Sequence, residues 1–368
     1  MTEQTSQEER PKLQIDTEII RKYPTFELFR RCIDYQAVKK VDDKYFPFEV
    51  DEEKLRKAVT ELSQAFQDEK ETNKQDLDVV AVPHGFNWQA EARQATRNAI
   101  DLIFKSRVIS REVLSEASRS TGPGNVIVIE GQDYAFHNSH DWFTYLRHSR
   151  KDRSEGPLPI PENKKLRDQY VKLEIGTGIV KIYASEYLKI AKELGLALTI
   201  DQALRLDLTK EVGHEYAHGI ERVIRLQGNK PTIRAQELGF VQLGDVPEHT
   251  YSKITGEYFA RGFELFVVKG YLSGELGYSV EQVNKFVDRW QGQLQPRVTA
   301  AKTLMEHVKQ AGYTSYEVIE IQEAIINKVR DLYDRDFALE IEDNDITNVL
   351  AYCEPPYTEE QLRALTKA

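Results

Sequence analysis

The chain has 368 residues, with 60 acidic against 50 basic side chains, a net charge of −10 and a pI near 5.5. An acid excess of this size offers no basic stripe to a nucleic-acid backbone, and no run of about 18 apolar residues is present to cross a membrane. The two cysteines, Cys32 and Cys353, are too few for a disulfide framework and stand in no C-x-x-C pair, so a reducing cytoplasm is the expected setting; Met1–Arg10 has neither an apolar core nor a basic lead-in, so no signal peptide is expected.

The length predicts two or three structural units with ample apolar sequence for a core. Residues 1–15 are read as a disordered polar tail. From 16 to 72 the pattern is helical. Apolar residues recur at helical spacing through Thr25–Tyr35, and Asp51 opens a helix to Leu62 as an N-cap with an acidic first turn. Residues 68–76 form a charged loop, Val79–Val82 a short strand, and 88–106 and 110–119 two helices. His84, between Pro83 and Gly85, is a solvated turn residue. Ser120–Gly124 is a turn leading into a strand at 125–130. His137 and His140 stand as H-x-x-H beside Asp141. No other ligand cluster lies nearby in sequence, so a loop packed by Trp142 and Phe143 is the simpler expectation than a second metal site; an active-site contact from either imidazole stays open. The basic run Arg147–Arg153 reads as a solvated turn, and three prolines in Ser154–Asn163 mark a linker.

Beyond the linker, Tyr170–Ile175 and Ile179–Tyr183 flank Gly176-Thr177-Gly178 in the pattern of a β-hairpin. Ser185–Leu194 is a short helix stopped by Gly195. A longer helix is read from Asp207, its N-cap, to Gln227-Gly228, with Leu208, Val212, Ile220, Val223 and Ile224 on its apolar side. It carries His214, Glu215 and His218 as H-E-x-x-H. Four residues are just over one helical turn, so both imidazoles project from one face and can share a metal. Glu215 is placed to contact water at that metal. Tyr216, Ala217, Gly219 and Ile220 bring no charge and no proline, as suits a helix buried beneath a site.

A third protein ligand is needed, with a fourth position left open. Its best source is the helix 256–272. There Glu257 and Glu264 lie two turns apart near one face with Arg261 between them, opposite Phe259, Phe263 and Phe266. The intervening loop, 228–255, borders the cleft. His249, Tyr251 and Tyr258 are candidates to stabilise an oxyanion. His249 is also a candidate ligand, although the short fixed spacing of three-histidine sites is absent.

From Ser279 onward the chain reads as helical, with periodicity over 280–290 and 317–329. Lone His307 is structural. Glu340, Glu342, Asp343 and Asp345 form a solvated acidic patch that lacks the spacing and glycine of a calcium loop. The expected division is a tail at 1–15, a mainly helical region with short strands at 16–153, a core at 164–275 and a helical region at 276–368.

Helices 207–226 and 256–272 together resemble the gluzincins, zinc metallopeptidases of the HExxH type. Their second helix often reads E-x-x-A followed by a polar residue, as does Glu257-Tyr258-Phe259-Ala260-Arg261. The continuation to Phe266 is similar to ImmA/IrrE-type peptidases and to the metallopeptidase-like domains of phage and mobile-element polyvalent proteins. The resemblance covers about 207–272. It implies an α+β, mostly helical fold: a zincin-like core with a small sheet over the HExxH helix, an edge strand for extended substrate, and helical regions on both flanks. It also implies one Zn2+ per chain held by His214, His218 and Glu257. The expected activity is cytoplasmic hydrolysis of a protein or peptide substrate by zinc-bound water that Glu215 activates. No nucleic-acid or membrane partner is expected. Where many gluzincins carry Asp four residues after the ligand Glu, Arg261 stands. This leaves Arg261 or Glu264 to orient a ligand, and Glu264 as an alternative ligand. A second expectation is a catalytically silent zincin-fold module that contacts proteins through its helical flanks.

Overall fold

The structure is a computed structural model that describes residues 51–61, 80–121, 126–129, 173–228, 231–240, 248–310 and 355–366. Several sequence expectations lie outside these residues: the tail and the helical pattern up to residue 50, the loop 68–76, His137 and His140, the basic run and proline linker at 147–163, the helix 317–329 and the acids at 340–345.

Helix α1 (52–61) is opened as expected. The Asp51 carboxylate accepts from the backbone N–H of Glu53 and Lys54 at 3.1 and 3.0 Å. Helix α2 (Trp88–Ser106) is capped by Asn87, which accepts from the Ala90 N–H at 3.0 Å, and α3 runs Arg111–Thr121. Both match the helices expected there, and His84 lies in an exposed turn. The strand expected at 79–82 does not form among the described residues. Residues 80–82 join no ladder, and the Val80 N–H donates to Ser185 Oγ at 3.1 Å.

The expected α+β core with a small sheet over the metal helix is not what the described residues form. Their regular elements are helices apart from one ladder of two four-residue strands. In it β1 (Val126–Ile129) pairs in parallel with β2 (Leu173–Gly176), and Val126 lies opposite Leu173. The hairpin expected over 170–183 is corrected as well: α4 runs Thr177–Glu193, so its second strand is helix. The reason is periodicity. Val180, Ala184, Tyr187, Ile190 and Ala191 are all buried, at the 3.6-residue spacing of one helix face. That face extends the helix backward through the glycine turn and overrides the local β-preference of Ile179-Val180.

Helix α5 (Ile200–Leu226) begins well before Asp207. Its N-cap is Thr199, in a capping box with Gln202. The Gln202 N–H donates to Thr199 Oγ1 at 3.3 Å, and the Thr199 N–H to Gln202 Oε1 at 2.9 Å. The expected loop 228–255 also contains helix. Helix α6 spans Pro231–Glu237 and α7 spans Glu248–Gly274, so α7 starts before Gly256. Helices α8 (Val280–Gln310) and α9 (Glu359–Thr366) begin at further boxes, Ser279 with Gln282 and Thr358 with Gln361.

Helix α5 is the centre of the body, packed by α7, α2, α4 and α3. Leu204, Leu206, Leu208, Val212, Tyr216 and Ile220 are all fully buried on it, and each large apolar side chain so buried contributes about 1.5–3 kcal/mol. A single cluster runs from Leu55 in α1 to Leu365 in α9, so described parts of the N-terminal, central and C-terminal regions share one core. Helices α5 and α7 run antiparallel and approach closely at glycines. A β-carbon on Gly213 would stand 3.0 Å from Val267 Cγ2, and one on Gly256 would stand 3.1 Å from Glu221 Oε2. On its other sides α7 meets Leu102 at Gly270, and Tyr357 and Leu362 at Gly262. The C-terminal segment is anchored to the far end of α2. Arg363 donates to the Ser106 carbonyl at 2.8 Å, and Thr366 Oγ1 to the Val108 carbonyl at 2.7 Å. No described helix is long and apolar enough to cross a membrane.

Candidate metal centre

Helix α5 presents His214 and His218 on one face, their ring centroids 5.0 Å apart. Helix α7 lays Glu257 across them. One Glu257 oxygen lies 3.4 Å from His214 Nε2 and the other 3.4 Å from His218 Nε2. The three side chains offer donor atoms within 4.8 Å of one another and could hold a metal ion; they are the one such group found among the described residues. Donors held about 2.1 Å from a tetrahedral ion stand about 3.4 Å apart. The two contacts go to different Glu257 oxygens, and the donor set, two imidazole nitrogens and a carboxylate within 4.8 Å of one another, suits an ion in its chemistry. Their side chains are 16, 24 and 35 % exposed, which leaves access from solvent.

Glu264 occupies a different place. Its Oε2 lies 3.3 Å from His214 Nδ1, the nitrogen that faces away from the donor group. The two carboxylates of α7 therefore split across one imidazole, with Glu257 at Nε2 and Glu264 at Nδ1. Arg261, one turn from each, is 9 % exposed, and its charge adds to those that favour an ionised Glu264.

Burial opposes charge at all these groups, and hydrogen bonds outweigh it. For Glu257, burial raises the pKa, but bonds to His214 and His218 hold the carboxyl far below the usual carboxylate range. Glu264 is lowered too, by its bond to His214 and then by the Lys210 charge, against burial. His214 is lifted well above an ordinary histidine because bonds to Glu257 and Glu264 overcome burial, and His218 is raised by Glu257 in the same way. Protons would compete with any metal ion for these imidazoles, so an ion would bind there more tightly as pH rises. Glu215 differs from Glu257 and Glu264: burial raises its pKa, and the nearby His218 and His214 charges offset this only in part.

Of the oxyanion candidates, Tyr258 is engaged away from the group. The Tyr258 hydroxyl donates to the Pro355 carbonyl, and its ring packs on Tyr357 with centroids 4.2 Å apart. One residue past Glu257 is about 100° around the helix, which turns Tyr258 toward the C-terminal segment. His249 and Tyr251 lie in the first turn of α7. His84 and His307 join no metal group among the described residues.

Sequence reasoning missed a charged cluster just upstream on α5. Asp207 is fully buried, not an N-cap. It accepts from the Tyr187 hydroxyl at 2.8 Å and pairs with Lys210 Nζ at 2.9 Å. Lys210 also pairs with Glu211 at 2.7 Å and lies 3.9 Å from the centre of the Tyr183 ring. Burial pushes the Asp207 carboxyl up to about 7, against the pull of Lys210. The available signal was spacing: 207, 210 or 211, 214 and 218 all fall on one helical face. Glu221 continues that face. It is 3 % exposed, and its Oε1 lies 3.6 Å from Arg225 Nε without a hydrogen-bond partner.

No protein-family model, curated protein or solved structure matches this chain.

Proposed function

We propose that this chain is a zinc-dependent hydrolase of peptide bonds, with His214, His218 and Glu257 as the ligands and Glu215 as the residue that moves the proton. The supporting observation is the convergence of two imidazoles and a carboxylate, with donor atoms within 4.8 Å of one another, on two adjacent helices. Two nitrogens and one oxygen suit zinc, whose catalytic sites use three protein ligands and leave a fourth position open. When bound, zinc supplies Lewis acidity, bringing the pKa of water toward 7 and polarising a carbonyl.

The protein's own groups do the rest. His214 and His218 offer Nε2 lone pairs in their neutral form. The Nδ1–H of His214 is donated to Glu264, which fixes the tautomer and ring orientation. Glu257 supplies the charge that offsets the cation. Glu215, beside His214 in sequence, accepts the proton from water and returns it to the leaving nitrogen. Burial brings its pKa closer to the working pH, which suits a group that must both take and give a proton.

The test combines metal content with turnover. Elemental mass spectrometry on the purified wild-type chain is expected to find about one zinc per chain. Glu257→Ala should lose it, whereas Glu264→Ala should keep it with weaker affinity. Glu215→Gln should retain zinc and lose at least about 100-fold in hydrolysis of a peptide library. A wild-type chain that takes up no zinc refutes the metal assignment. Unchanged turnover in Glu215→Gln refutes the mechanism. Zinc binding without hydrolysis of any library member assigns the chain to a silent binding module instead.

A further inference from the structure

The hydrolytic mechanism makes no use of the buried cluster between α4 and α5. Asp207 is fully buried there, and its two carboxyl oxygens have different surroundings. Oδ1 accepts from the Tyr187 hydroxyl at 2.8 Å and from Lys210 Nζ at 2.9 Å. Oδ2 is closed off from solvent and has no hydrogen-bond partner among the described residues. An ionised carboxylate shares its charge between both oxygens, and each is an acceptor. A buried oxygen that carries charge and meets no donor is costly, and a neutral hydroxyl in the same place costs less. Two donors on one oxygen and none on the other is the pattern of a protonated carboxyl, with Oδ1 as its carbonyl and Oδ2 as its hydroxyl.

The count of charges agrees. Lys210 Nζ also meets Glu211 Oε1 at 2.7 Å, so one ammonium stands between two carboxylates. With both acids ionised the trio holds one negative charge in excess. Glu211 keeps contact with water at 26 % exposure, and Asp207 has none. The neutralising proton therefore belongs on Asp207, and Lys210 keeps Glu211 as its counter-ion. The packed elements bring further groups. From α4 come Tyr187, the Tyr183 ring 3.9 Å from Lys210 Nζ, and Glu186, on which the Lys210 and Lys189 charges act. From α7, Glu264 acts on Lys210 and Tyr187. From α8, the uncharged rings of Phe286 and Trp290 lie 5.9 and 6.1 Å from that of Tyr187. Glu91 of α2 is taken up by Arg205 at 2.8 Å, on the opposite side of α5. None of these gives Oδ2 a donor. Burial raises the Asp207 carboxyl to about 7, against the pull of Lys210.

We propose that Asp207 makes the α4–α5 junction a proton-sensitive joint: the neutral acid accepts the Tyr187 hydroxyl and holds the helices together, and loss of its proton as pH rises loosens them. Helix α4 passes the effect outward. Its Ser185 Oγ accepts from the Val80 N–H at 3.1 Å, and its Tyr187 ring backs α8. This joint is independent of the zinc site. The folded carboxyl keeps its proton above the ordinary value of 3.8, so folding takes up a proton between about pH 4 and about pH 7. The stability this contributes is greatest at the acid end of that window and is lost as pH rises through it, by up to about tenfold in the folding constant per pH unit.

Carbon NMR of the full chain carrying Cγ-labelled aspartate tests this. One aspartyl carboxyl is expected to titrate near neutral pH, and Asp207→Asn should remove that signal. Tyr187→Phe should move its midpoint upward, because the hydroxyl favours the ionised form. The amide of asparagine imitates the neutral acid. In urea unfolding, Asp207→Asn should therefore gain on the wild type as pH rises from about 4 to about 7, by up to about tenfold in the folding constant per pH unit, and hold that gain above. Aspartyl carboxyls that all titrate near 4, as an ordinary buried ion pair requires, overturn the inference. So does a neutral titration that persists in Asp207→Asn or stays unmoved in Tyr187→Phe, and so does a stability difference that is flat or falls with pH. If Asp207→Asn does not fold, the wild-type titration and its shift in Tyr187→Phe decide.

Discussion

Replacing Gly213 by alanine tests the close approach that builds the metal centre. The added β-carbon would lie 3.0 Å from Val267 Cγ2 and 3.3 Å from both Cβ and Cγ1. Apolar carbons settle at about 3.5–4.0 Å, so the nearest contact is short by about 0.5–1.0 Å. Val267 cannot swing aside. A β-branched side chain in a helix has one strongly preferred rotamer, and this one is fully buried. Helices α5 and α7 must therefore separate. Overpacking of this kind costs about 1–3 kcal/mol, and alanine returns about 1 kcal/mol of helix propensity. The expected net loss is about 1 kcal/mol, or about 2–4 °C in Tm. The separation also lengthens the 3.3–3.4 Å contacts of His214 with Glu264 and Glu257, so zinc affinity should fall by more than stability does. A double-mutant cycle with Val267→Ala, read by urea unfolding and zinc competition, gives the decisive number. Val267→Ala alone should cost about 2 kcal/mol through its cavity. The pair should cost about 1 kcal/mol less than the sum, because the new methyl fills vacated space. Energies that add to within about 0.3–0.5 kcal/mol, with zinc affinity unchanged in Gly213→Ala, would refute the reasoning.

Three further outcomes are expected. The Tyr216 hydroxyl bonds the Leu114 carbonyl at 2.9 Å and Ser118 Oγ at 2.6 Å, and burial pushes its pKa up to about 12. A folded pKa above the unfolded value near 10 means that stability is fully present below about pH 10 and is lost as pH rises toward 12, by about 2.7 kcal/mol. Tyr216→Phe should cost about 1 kcal/mol at pH 7 and show a shallower alkaline decline in urea titrations; equal declines in both proteins would place that hydroxyl in water. Tyr258→Phe should leave the Pro355 carbonyl without its donor, cost about 1 kcal/mol, and speed hydrogen exchange in 355–366 while zinc content holds. Loss of zinc in that variant would give Tyr258 a role at the metal after all. Zinc at 100 times its Kd should stabilise the chain by about 2.7 kcal/mol. A chelator should reverse this, and His218→Ala should abolish it; a shift that survives His218→Ala points to a different binding site.

The metal group was more legible in the sequence than the frame that holds it, and the reason is helix geometry. The spacing of His214 and His218 fixes their common face whatever packs around them. Glu257 and Glu264 could not be ranked in the same way. They lie two turns apart on one helix, and only the crossing of α7 over α5 separates the Nε2 side of His214 from its Nδ1 side. The start of α5 was misplaced because Asp207 is a favoured N-cap residue. Thr199 with Gln202 was the stronger signal, a complete capping box with no proline between it and Gly228. The hairpin at 170–183 was misread from Gly176-Thr177-Gly178 because a local turn signal was weighed above a helical period that continues through it. Pro231, taken as a loop residue, is the first residue of α6, a position where a missing N–H costs nothing.

The anchoring of the C-terminal segment also bears on when the metal centre can mature. Helices α5 and α7 have both been synthesised once residue 274 has emerged, but among the described residues the nearest neighbours of α7 at Gly262 are Tyr357 and Leu362. About 80 residues separate these points, and synthesis at about 5–20 residues per second takes roughly 4–16 s to cross them. During that interval Glu257 sits on a helix that lacks one of its supports, so an ion held by the His214–His218–Glu257 group would be expected to exchange faster. If the group takes zinc as proposed, tight retention is expected only once residues 355–366 are in place. A nascent chain tethered short of Pro355 should hold its ion for less time than the released protein.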